Sequence, residues 1–318
     1  MQQYDLMIVG GGPGGYVAAI RGAQLGFKTA LVEREHLGGV CLNWGCIPTK
    51  AMLRGADIAH TLKEAEHFGF TIDNVSFDIN KLVQHSRSVA SKLSQGVAYL
   101  MQKNNITVID GTATLADKCR LDVTHNGAVT QYNAAHIILA TGARARNLPN
   151  IEIDGHFIWG AREAMTPTAL PNNLLVIGAG AIGVEFASMY NDLGTNVTLV
   201  EAEQRITPAE DIEISQIAEK SFKKRGIKVL TNSLVESVER AGTGSVASIN
   251  GPDGKQELAF DQVILAVGIR GNIESLGLEK HGVDMDKGFL IADQFGKTNL
   301  AGLYAVGDVA GPPWLAHK

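Results

Sequence analysis

Leu6-Met7-Ile8-Val9-Gly10-Gly11-Gly12-Pro13-Gly14-Gly15 decides the fold. An apolar run broken abruptly by glycine reads as a buried strand running into a tight turn. A helical pattern follows to Leu25, and a second apolar strand, Thr29-Ala30-Leu31-Val32, ends in Glu33. The whole arrangement recurs: Leu174-Leu175-Val176-Ile177, then Gly178-Ala179-Gly180-Ala181-Ile182-Gly183, a helical run to Leu193, and Val197-Thr198-Leu199-Val200 ending in Glu201. Strand, glycine loop, helix, strand and acid in that order specify a βαβ unit that binds a dinucleotide. Gly10 and Gly178 serve the turn, Gly12 and Gly180 let amides approach a pyrophosphate, and Gly15 and Gly183 allow helix and strand to touch. The duplication implies two dinucleotide sites. Glu33 and Glu201 are placed to accept ribose hydroxyls, and a carboxylate at 201 repels a 2′-phosphate, which favours NAD over NADP. Arg205 stands near enough to complicate that reading; as a solvated surface charge it would not.

Working outward, Pro48 to about His67 and Ile79 to about Asn104 read as helices. Strand-like runs lie around Ile106, Leu121 and Val129, and His136-Ile137-Ile138-Leu139 reads as a buried strand ending in Ala140-Thr141-Gly142. Arg144 to Pro149 reads as a linker. Asp211 to Arg225 is a helix, Ile227 to Leu230 a strand, and Asp253-Gly254 marks a hairpin turn. Val263 to Val267 ends in Gly268, and Leu303 to Val306 leads into a turn at Gly307-Asp308-Val309-Ala310-Gly311. Leu315-Ala316-His317-Lys318 looks like the start of a helix.

The 318 residues allow two domains with separate cores. A formal net charge of −5 gives no electrostatic case for nucleic acid or an anionic membrane, and no apolar run approaches the roughly 20 residues of a bilayer span. The N-terminal apolar run passes straight into glycine with no basic region before it, so it reads as a first strand and not as a signal peptide. A soluble cytoplasmic or mitochondrial matrix protein is expected.

Of three cysteines, Cys41 and Cys46 lie together in Gly38-Gly39-Val40-Cys41-Leu42-Asn43-Trp44-Gly45-Cys46-Ile47-Pro48-Thr49-Lys50. Beside a dinucleotide loop, in a chain with so few thiols, the pair reads as redox-active; an inert pair is the competing reading. Metal binding lacks ligands, since no histidine lies in the segment. On an undistorted helix Cα atoms five apart lie about 8–9 Å from each other, beyond the ~7 Å limit for a disulfide, so the segment must kink, and Gly45 permits that. Lys50, one helical turn past Cys46, is a candidate cation to stabilise a thiolate. Cys119 is expected to be a semi-buried, inert thiol.

Together, the Gly38–Lys50 segment, the two glycine loops, Ala140-Thr141-Gly142 and Ala305-Val306-Gly307-Asp308 resemble the dihydrolipoamide dehydrogenases of the flavoprotein disulfide reductase family, along the whole chain. The resemblance implies an α/β fold with two Rossmann-like FAD/NAD(P)-binding domains of three-layer ββα type, the second inserted into the first: residues 1–146 and 272–318 for FAD, 147–271 for NAD. It implies FAD contacts from Gly10, Gly12, Pro13, Gly14, Gly15, Glu33, Gly39, Val40, Cys41, Cys46, Lys50, Ala140, Thr141, Gly142, Gly307 and Asp308, the last holding a ribitol hydroxyl. NAD would meet Gly178, Gly180, Ile182, Gly183, Glu201 and Gly268, with nicotinamide on the flavin face opposite the disulfide. Cys46 would lie against the flavin and Cys41 would exchange with dihydrolipoamide. Lys50 would sit near flavin N5, paired with Glu185. Without the resemblance, Glu185 reads as an ordinary helix residue, whereas the place of Asp308, in a strand-to-helix turn after an apolar strand, favours a cofactor role over that of an ordinary turn aspartate.

The implied partners are the dihydrolipoamide of a 2-oxo acid dehydrogenase or glycine cleavage complex and, for a full-length protein, a second copy in a homodimer. Two departures stand out. Such enzymes use a histidine followed by proline as acid–base, and none of the nine histidines here precedes a proline, so the dimerisation domain that supplies it is expected to be missing and the piece to bind FAD with little dihydrolipoamide turnover. Ile269-Arg270-Gly271-Asn272 stands where many relatives have Arg-Pro before the Asn. A thioredoxin reductase would have two residues between its cysteines, in the NAD half; a glutathione or mercuric reductase relative, or an inactive FAD/NAD-binding fragment, are the alternatives.

Overall fold

The computed structural model describes residues 2–317. The first strand, β1 (Gln2–Val9), leads through the glycine loop into α1 (Pro13–Gln24) and β2 (Thr29–Glu33). Two helices follow end to end, α2 (Gly39–Trp44) and α3 (Cys46–Lys63), then the 25-residue α4 (Ile79–Lys103). Four strands come next: β3 (Thr107–Asp110), β4 (Thr112–Asp117), β5 (Arg120–His125) and β6 (Ala128–Leu139), with the short β7 (Ala143–Ala145) behind them. The chain continues through β8 (Ile158–Trp159), α5 (Ala161–Ala164), β9 (Asn173–Ile177), α6 (Ala181–Asp192), β10 (Asn196–Val200), α7 (Ile212–Lys224) and β11 (Lys228–Leu230). A meander, β12 (Leu234–Ala241), β13 (Gly244–Gly251) and β14 (Gly254–Phe260), precedes β15 (Gln262–Leu265). The return segment holds β16 (Ile269–Gly271), β17 (Met285–Asp286), β18 (Phe289–Leu290) and β19 (Leu303–Ala305), then a 3₁₀ turn, Gly307–Ala310.

The contacts divide the chain into two compact units, one of Met1–Ile47, Val89–Arg144 and Ile269–Lys318, the other of Pro48–Ser88 and Ala145–Gly268. The second is thus inserted into the first. Residues 48–88, which sequence order would place with the first glycine loop, group with the second unit.

In the first unit β3, β2, β1 and β6 are parallel neighbours. Side chains of alternate parity supply two cores, as a strand period of two demands. Met7, Val9, Ala30 and Val32 face one cluster with Leu115, Leu121 and Val123 of the antiparallel strands. Leu6, Ile8 and Leu31 face the other, with Ala19 of α1, Leu42 of α2 and Val97 and Met101 of α4. The strand read as His136 to Leu139 is longer. One edge of β6 pairs β1 from Tyr132 to Leu139, while the other pairs β5 from Ala128 to Asn133 and β19 from Ile137 to Leu139, so the polar stretch before His136 is held by ladder hydrogen bonds rather than by burial.

In the second unit a parallel sheet, β11-β10-β9-β15-β8, carries the antiparallel meander on one face. Leu175, Ile177, Val200, Val263 and Leu265 pack there on Val235, Ala247, Ile249 and Phe260. The antiparallel, parallel and helical tiers are the ββα plan. Asp211 caps α7, its Oδ1 accepting the Glu213 amide at 2.8 Å.

Three local expectations change. Cys119, in the β4–β5 turn, is exposed rather than semi-buried. Leu315 is irregular and Ala316–His317 form a turn, not a helix, and Lys318 lies outside the described residues. The helix expected from Pro48 begins at Cys46 and ends at Lys63, with a separate 3₁₀ turn at Ala65–Phe68; Pro48, lacking an N–H, fits in its first turn.

Candidate active site

Each glycine loop is built by the same collisions. Gly10 has φ +107, and a Cβ there would lie 2.2 Å from the Ala140 carbonyl oxygen; one on Gly15 would lie 1.8 Å from the Gly10 oxygen. In the second loop Gly178 has φ +95 with the Ala266 oxygen at 2.5 Å, and Gly183 meets the Gly178 oxygen at 1.8 Å. These glycines are explained by the fold. Gly12 and Gly180 are not: their backbones are extended (φ −69 and −72), each at the N-cap of its helix. A Cβ on Gly180 would meet nothing within 4 Å, and one on Gly12 only the Gly39 Cα at 3.9 Å. Open space in front of exposed helix amides is what a pyrophosphate needs, so the residues present fit a dinucleotide at both loops.

The two acids are held alike. Glu33 Oε2 accepts the Gly11 amide at 2.6 Å, and its Oε1 accepts the amides of Arg34 and Glu35, both at 2.8 Å. Glu201 Oε2 accepts the Ala179 amide at 2.7 Å and Oε1 the Glu203 amide at 3.0 Å. Both carboxylates are fixed by backbone donors and keep acceptor capacity, since each oxygen carries two lone pairs. Arg205 differs from the surface charge expected. It is half-buried, and its Nη2 donates to the carbonyl oxygens of Pro208 at 2.9 Å and Glu210 at 3.4 Å.

The cysteine segment rests on the first loop. The Gly38 amide donates to the Gly11 oxygen at 2.8 Å, and a Cβ on Gly39 (φ +57) would come 2.6 Å from the Gly12 Cα. The backbone of one motif touches the backbone of the other, and only glycine allows it. The segment breaks at Gly45, between α2 and α3; a Cβ there would lie 3.0 Å from the Val40 oxygen. Cys41 is half-buried and Cys46 is exposed at the start of α3.

The structure also recruits residues the sequence did not single out. Buried Asn43 donates through Nδ2 to the Leu37 oxygen at 3.0 Å and the Gly39 oxygen at 2.9 Å, and Ser94 Oγ donates to the Leu37 oxygen at 2.7 Å. Tyr16, on α1, packs in the same cluster as Cys41. Burial pushes its phenol up, and the nearby Cys41 adds to the shift. An asparagine inside a helix is the one sequence signal, because such residues usually sit at caps.

Ala140-Thr141-Gly142 is zipped to Asn272. Thr141 Oγ1 donates to the Asn272 oxygen at 2.8 Å, Asn272 Nδ2 donates to the Thr141 oxygen at 2.9 Å, and the Asn272 amide donates to the Gly142 oxygen at 2.9 Å. At Gly271 a Cβ would lie 2.6 Å from the Gly288 oxygen, so a close backbone approach accounts for the glycine at this junction. Gly307 has φ +76 and opens the 3₁₀ turn that carries half-buried Asp308. A Cβ on Gly14 would touch Val306 Cγ1 at 3.4 Å, so this turn lies against the start of α1. Pro13 is the first residue of α1. Val40 and Ile182 are exposed apolar residues in the first turns of α2 and α6, and Gly268 (φ +111) accepts the Arg146 amide at 3.0 Å.

In the second unit, Lys50 Nζ lies 2.5 Å from Glu185 Oε1, with the side chains 62% and 30% exposed. An ion pair this open contributes about 0–1 kcal/mol, so its value is local charge rather than stability. Among the described residues no group of three or more His, Cys, Asp or Glu gathers to hold a metal, and no helix is long and apolar enough to cross a membrane.

Residues 4–318 match the pyridine nucleotide-disulphide oxidoreductase family. Dihydrolipoyl dehydrogenase of Rhizobium etli is 49% identical over the whole chain and 69% of its own length, and that of Zymomonas mobilis is 50% identical over 99% of the chain and 68% of its own length. Among solved structures, LpdA from Mycobacterium tuberculosis superposes with a TM-score of 0.90 at 28% identity over 99% of this chain and 69% of its own. The HOCl-induced flavoprotein disulfide reductase RclA from Escherichia coli, as its Cu(II) complex, gives 0.87 at 26% over 100% and 68%. With paired nucleotide loops, a cysteine pair seated on the first of them, and relatives matching end to end, the chain belongs to the pyridine nucleotide-disulphide oxidoreductase family.

Proposed function

We propose that this chain carries the nucleotide-binding and disulfide-bearing machinery of a dihydrolipoyl dehydrogenase, with FAD held on residues 1–146 and 272–318 and NAD on residues 147–271. The observation that carries this reading is the seat of the Cys41–Cys46 segment on the first glycine loop, Gly39 against Gly12. It joins a thiol pair to a nucleotide site through backbone contact. The relatives' name, dihydrolipoyl dehydrogenase, supplies the substrate class; the proposed partners are the dihydrolipoamide of a 2-oxo acid dehydrogenase or glycine cleavage complex and, for a full-length protein, a second copy in a homodimer.

The dithiol chemistry balances on this chain's own residues. A substrate thiolate attacks Cys41 Sγ, the Cys41–Cys46 bond breaks, and Cys46 leaves as a thiolate. The second substrate thiolate attacks the lipoyl sulfur bonded to Cys41, closing the lipoamide ring and releasing Cys41 as a thiolate. Two electrons then reside on Cys41 and Cys46, and the two substrate protons have gone to base or solvent. A flavin held by the first glycine loop, Glu33 and Asp308 would supply the two-electron oxidation of that dithiol, and a nicotinamide dinucleotide at the second loop and Glu201 would be the acceptor. The open helix starts at Gly12 and Gly180 bind the two pyrophosphates. Glu33 and Glu201 orient the riboses, Asp308 takes a ribitol hydroxyl, and the Lys50 ammonium lies one helical turn beyond Cys46.

The test is anaerobic reduction of the purified yellow chain, with thiols trapped by a maleimide and peptides mapped. Dihydrolipoamide should convert Cys41 and Cys46, and not Cys119, from disulfide to dithiol, and NADH should bleach the flavin faster than NADPH. Strong NADPH preference, or oxidised glutathione in place of lipoamide as the exchanging disulfide, overturns the proposal.

A further inference from the structure

The Lys50–Glu185 contact is one end of a longer bridge within the second unit. At its far end Asp192, the last residue of α6, receives two side chains from α3. Lys63 Nζ donates to its main-chain oxygen at 2.8 Å, and His60 Nδ1 lies 3.4 Å from Oδ1. Asp192 Oδ2 takes Arg225 Nη2 at 2.6 Å, and the same nitrogen reaches Ser188 Oγ at 2.9 Å. Glu64, just past the end of α3, flanks His60, Oε2 to Nε2 3.6 Å.

The two ends are unequal. Lys50 and Glu185 are open to solvent, whereas the Asp192 side chain is only 10% exposed. An exposed ion pair is too weak and too mobile to fix one helix against another. The buried Asp192 carboxylate is held by the Arg225 guanidinium, whose loss would leave it uncompensated, while α3 reaches the same residue through Lys63 on the main-chain oxygen and His60 beside Oδ1. The anchored end therefore governs the register and the open end follows it.

We propose that Asp192 is a positioning residue: by pinning the C-terminal end of α3 to the end of α6, it keeps the Lys50 ammonium at Glu185. The proposal rests on the reading of Lys50 as the cation that serves Cys46.

The test acylates the purified 318-residue chain with a small activated ester and maps lysine labelling rates, using Lys223, paired with Glu219 on α7 at 2.6 Å, as an internal standard. A paired ammonium acylates more slowly than an unpaired one. Glu185→Gln should raise the Lys50 rate roughly threefold, the scale of an exposed ion pair. Asp192→Asn should raise it in the same direction, and the double variant should be no faster than Glu185→Gln alone. If Asp192→Asn does not fold, His60→Gln with Lys63→Met leaves the Asp192–Arg225 pair in place and should still raise the rate. In a Cys119→Ser background, the potential of the Cys41–Cys46 couple in a thiol buffer should shift with the same sign in Asp192→Asn as in Glu185→Gln. Unchanged Lys50 labelling with a lowered unfolding midpoint, or equal acceleration at Lys50 and Lys223, overturns the proposal, since both mean a merely structural role. A cysteine pair that does not cycle with dihydrolipoamide at all overturns the functional reading, and the labelling pattern still decides the register by itself.

Discussion

Single glycines separate folding from binding in this molecule. At Gly183 a methyl group would overlap a carbonyl oxygen at 1.8 Å, whereas at Gly180 it would meet nothing. Gly183→Ala is therefore expected to destabilise the second unit by several kcal/mol, in the range of overpacking a tight contact, about 1–3 kcal/mol or more. Gly180→Ala should change stability by about 0.5 kcal/mol or less, the scale of a surface substitution, yet weaken NADH binding. Urea unfolding alongside a fluorescence titration with NADH checks both; a Gly180→Ala chain that binds NADH normally would remove the case for a pyrophosphate at that helix start. The spacing of these glycines was legible because the collisions are local: a residue at the third glycine always meets the first. Arg205 was not legible, since only the three-dimensional path of residues 206–210 shows that its guanidinium is taken up by carbonyl oxygens rather than by water. A second residue-scale test lies in the first unit. Arg144 and Glu274 form a forked pair with N–O distances of 3.0 and 2.8 Å, and the Arg144 hydrogen bond holds the Glu274 carboxyl down, from 4.5 to about 2. A depressed folded-state value means stability that is complete above the unfolded value and lost as pH falls toward the folded one. Wild type should be more stable than Glu274→Gln at pH 7, with the difference closing between pH 4.5 and 2; thermal unfolding across that interval measures it, and a difference that persists unchanged at pH 2 contradicts the assignment.

At the scale of elements, the break between α2 and α3 is where the proposed redox chemistry would sit, and one buried amide braces it. Asn43 makes two hydrogen bonds to carbonyl oxygens of the turn that precedes it. Asn43→Ala removes one donor from each oxygen and leaves the Leu37 oxygen to the Ser94 hydroxyl, a loss of about 0.5–1.5 kcal/mol per bond, and should loosen α2 on the glycine loop. Its expected signature is a lower unfolding midpoint together with faster alkylation of half-buried Cys41, while exposed Cys46 changes little; equal acceleration at both cysteines would point to general unfolding. That the segment must kink followed from disulfide reach and helix rise. Which side chain braces the kink did not, because an asparagine reads the same in sequence whether it faces solvent or a carbonyl. The length of β6 was hidden for a related reason. Its first half is polar and held by ladder hydrogen bonds to β5, which leave no hydrophobic pattern to read.

For the molecule as a whole, two copies of one motif have been assigned different cofactors, and their likeness makes the assignment testable. Glu33 and Glu201 stand at equivalent places, each bonded to the amide of the residue after its first loop glycine. Their loops lie in separate units, and only the first carries a cysteine segment. Removing each carboxylate should therefore affect one ligand and spare the other. Glu33→Gln is expected to lower the flavin retained on purification, with NADH affinity of the reconstituted chain little changed. Glu201→Gln is expected to leave flavin content intact while weakening NADH and narrowing the preference against NADPH, since the repulsion of a 2′-phosphate is lost. Each lost charge-assisted hydrogen bond contributes about 1.5–3 kcal/mol, or roughly ten- to a hundredfold in affinity, an effect large enough to read by the flavin-to-protein absorbance ratio and by NADH titration. The crossed result, flavin lost from Glu201→Gln and NADH from Glu33→Gln, would exchange the two cofactors. Loss of both ligands from either variant would instead mean that the two loops do not act as independent sites, and the duplication would then have to be read as one composite site.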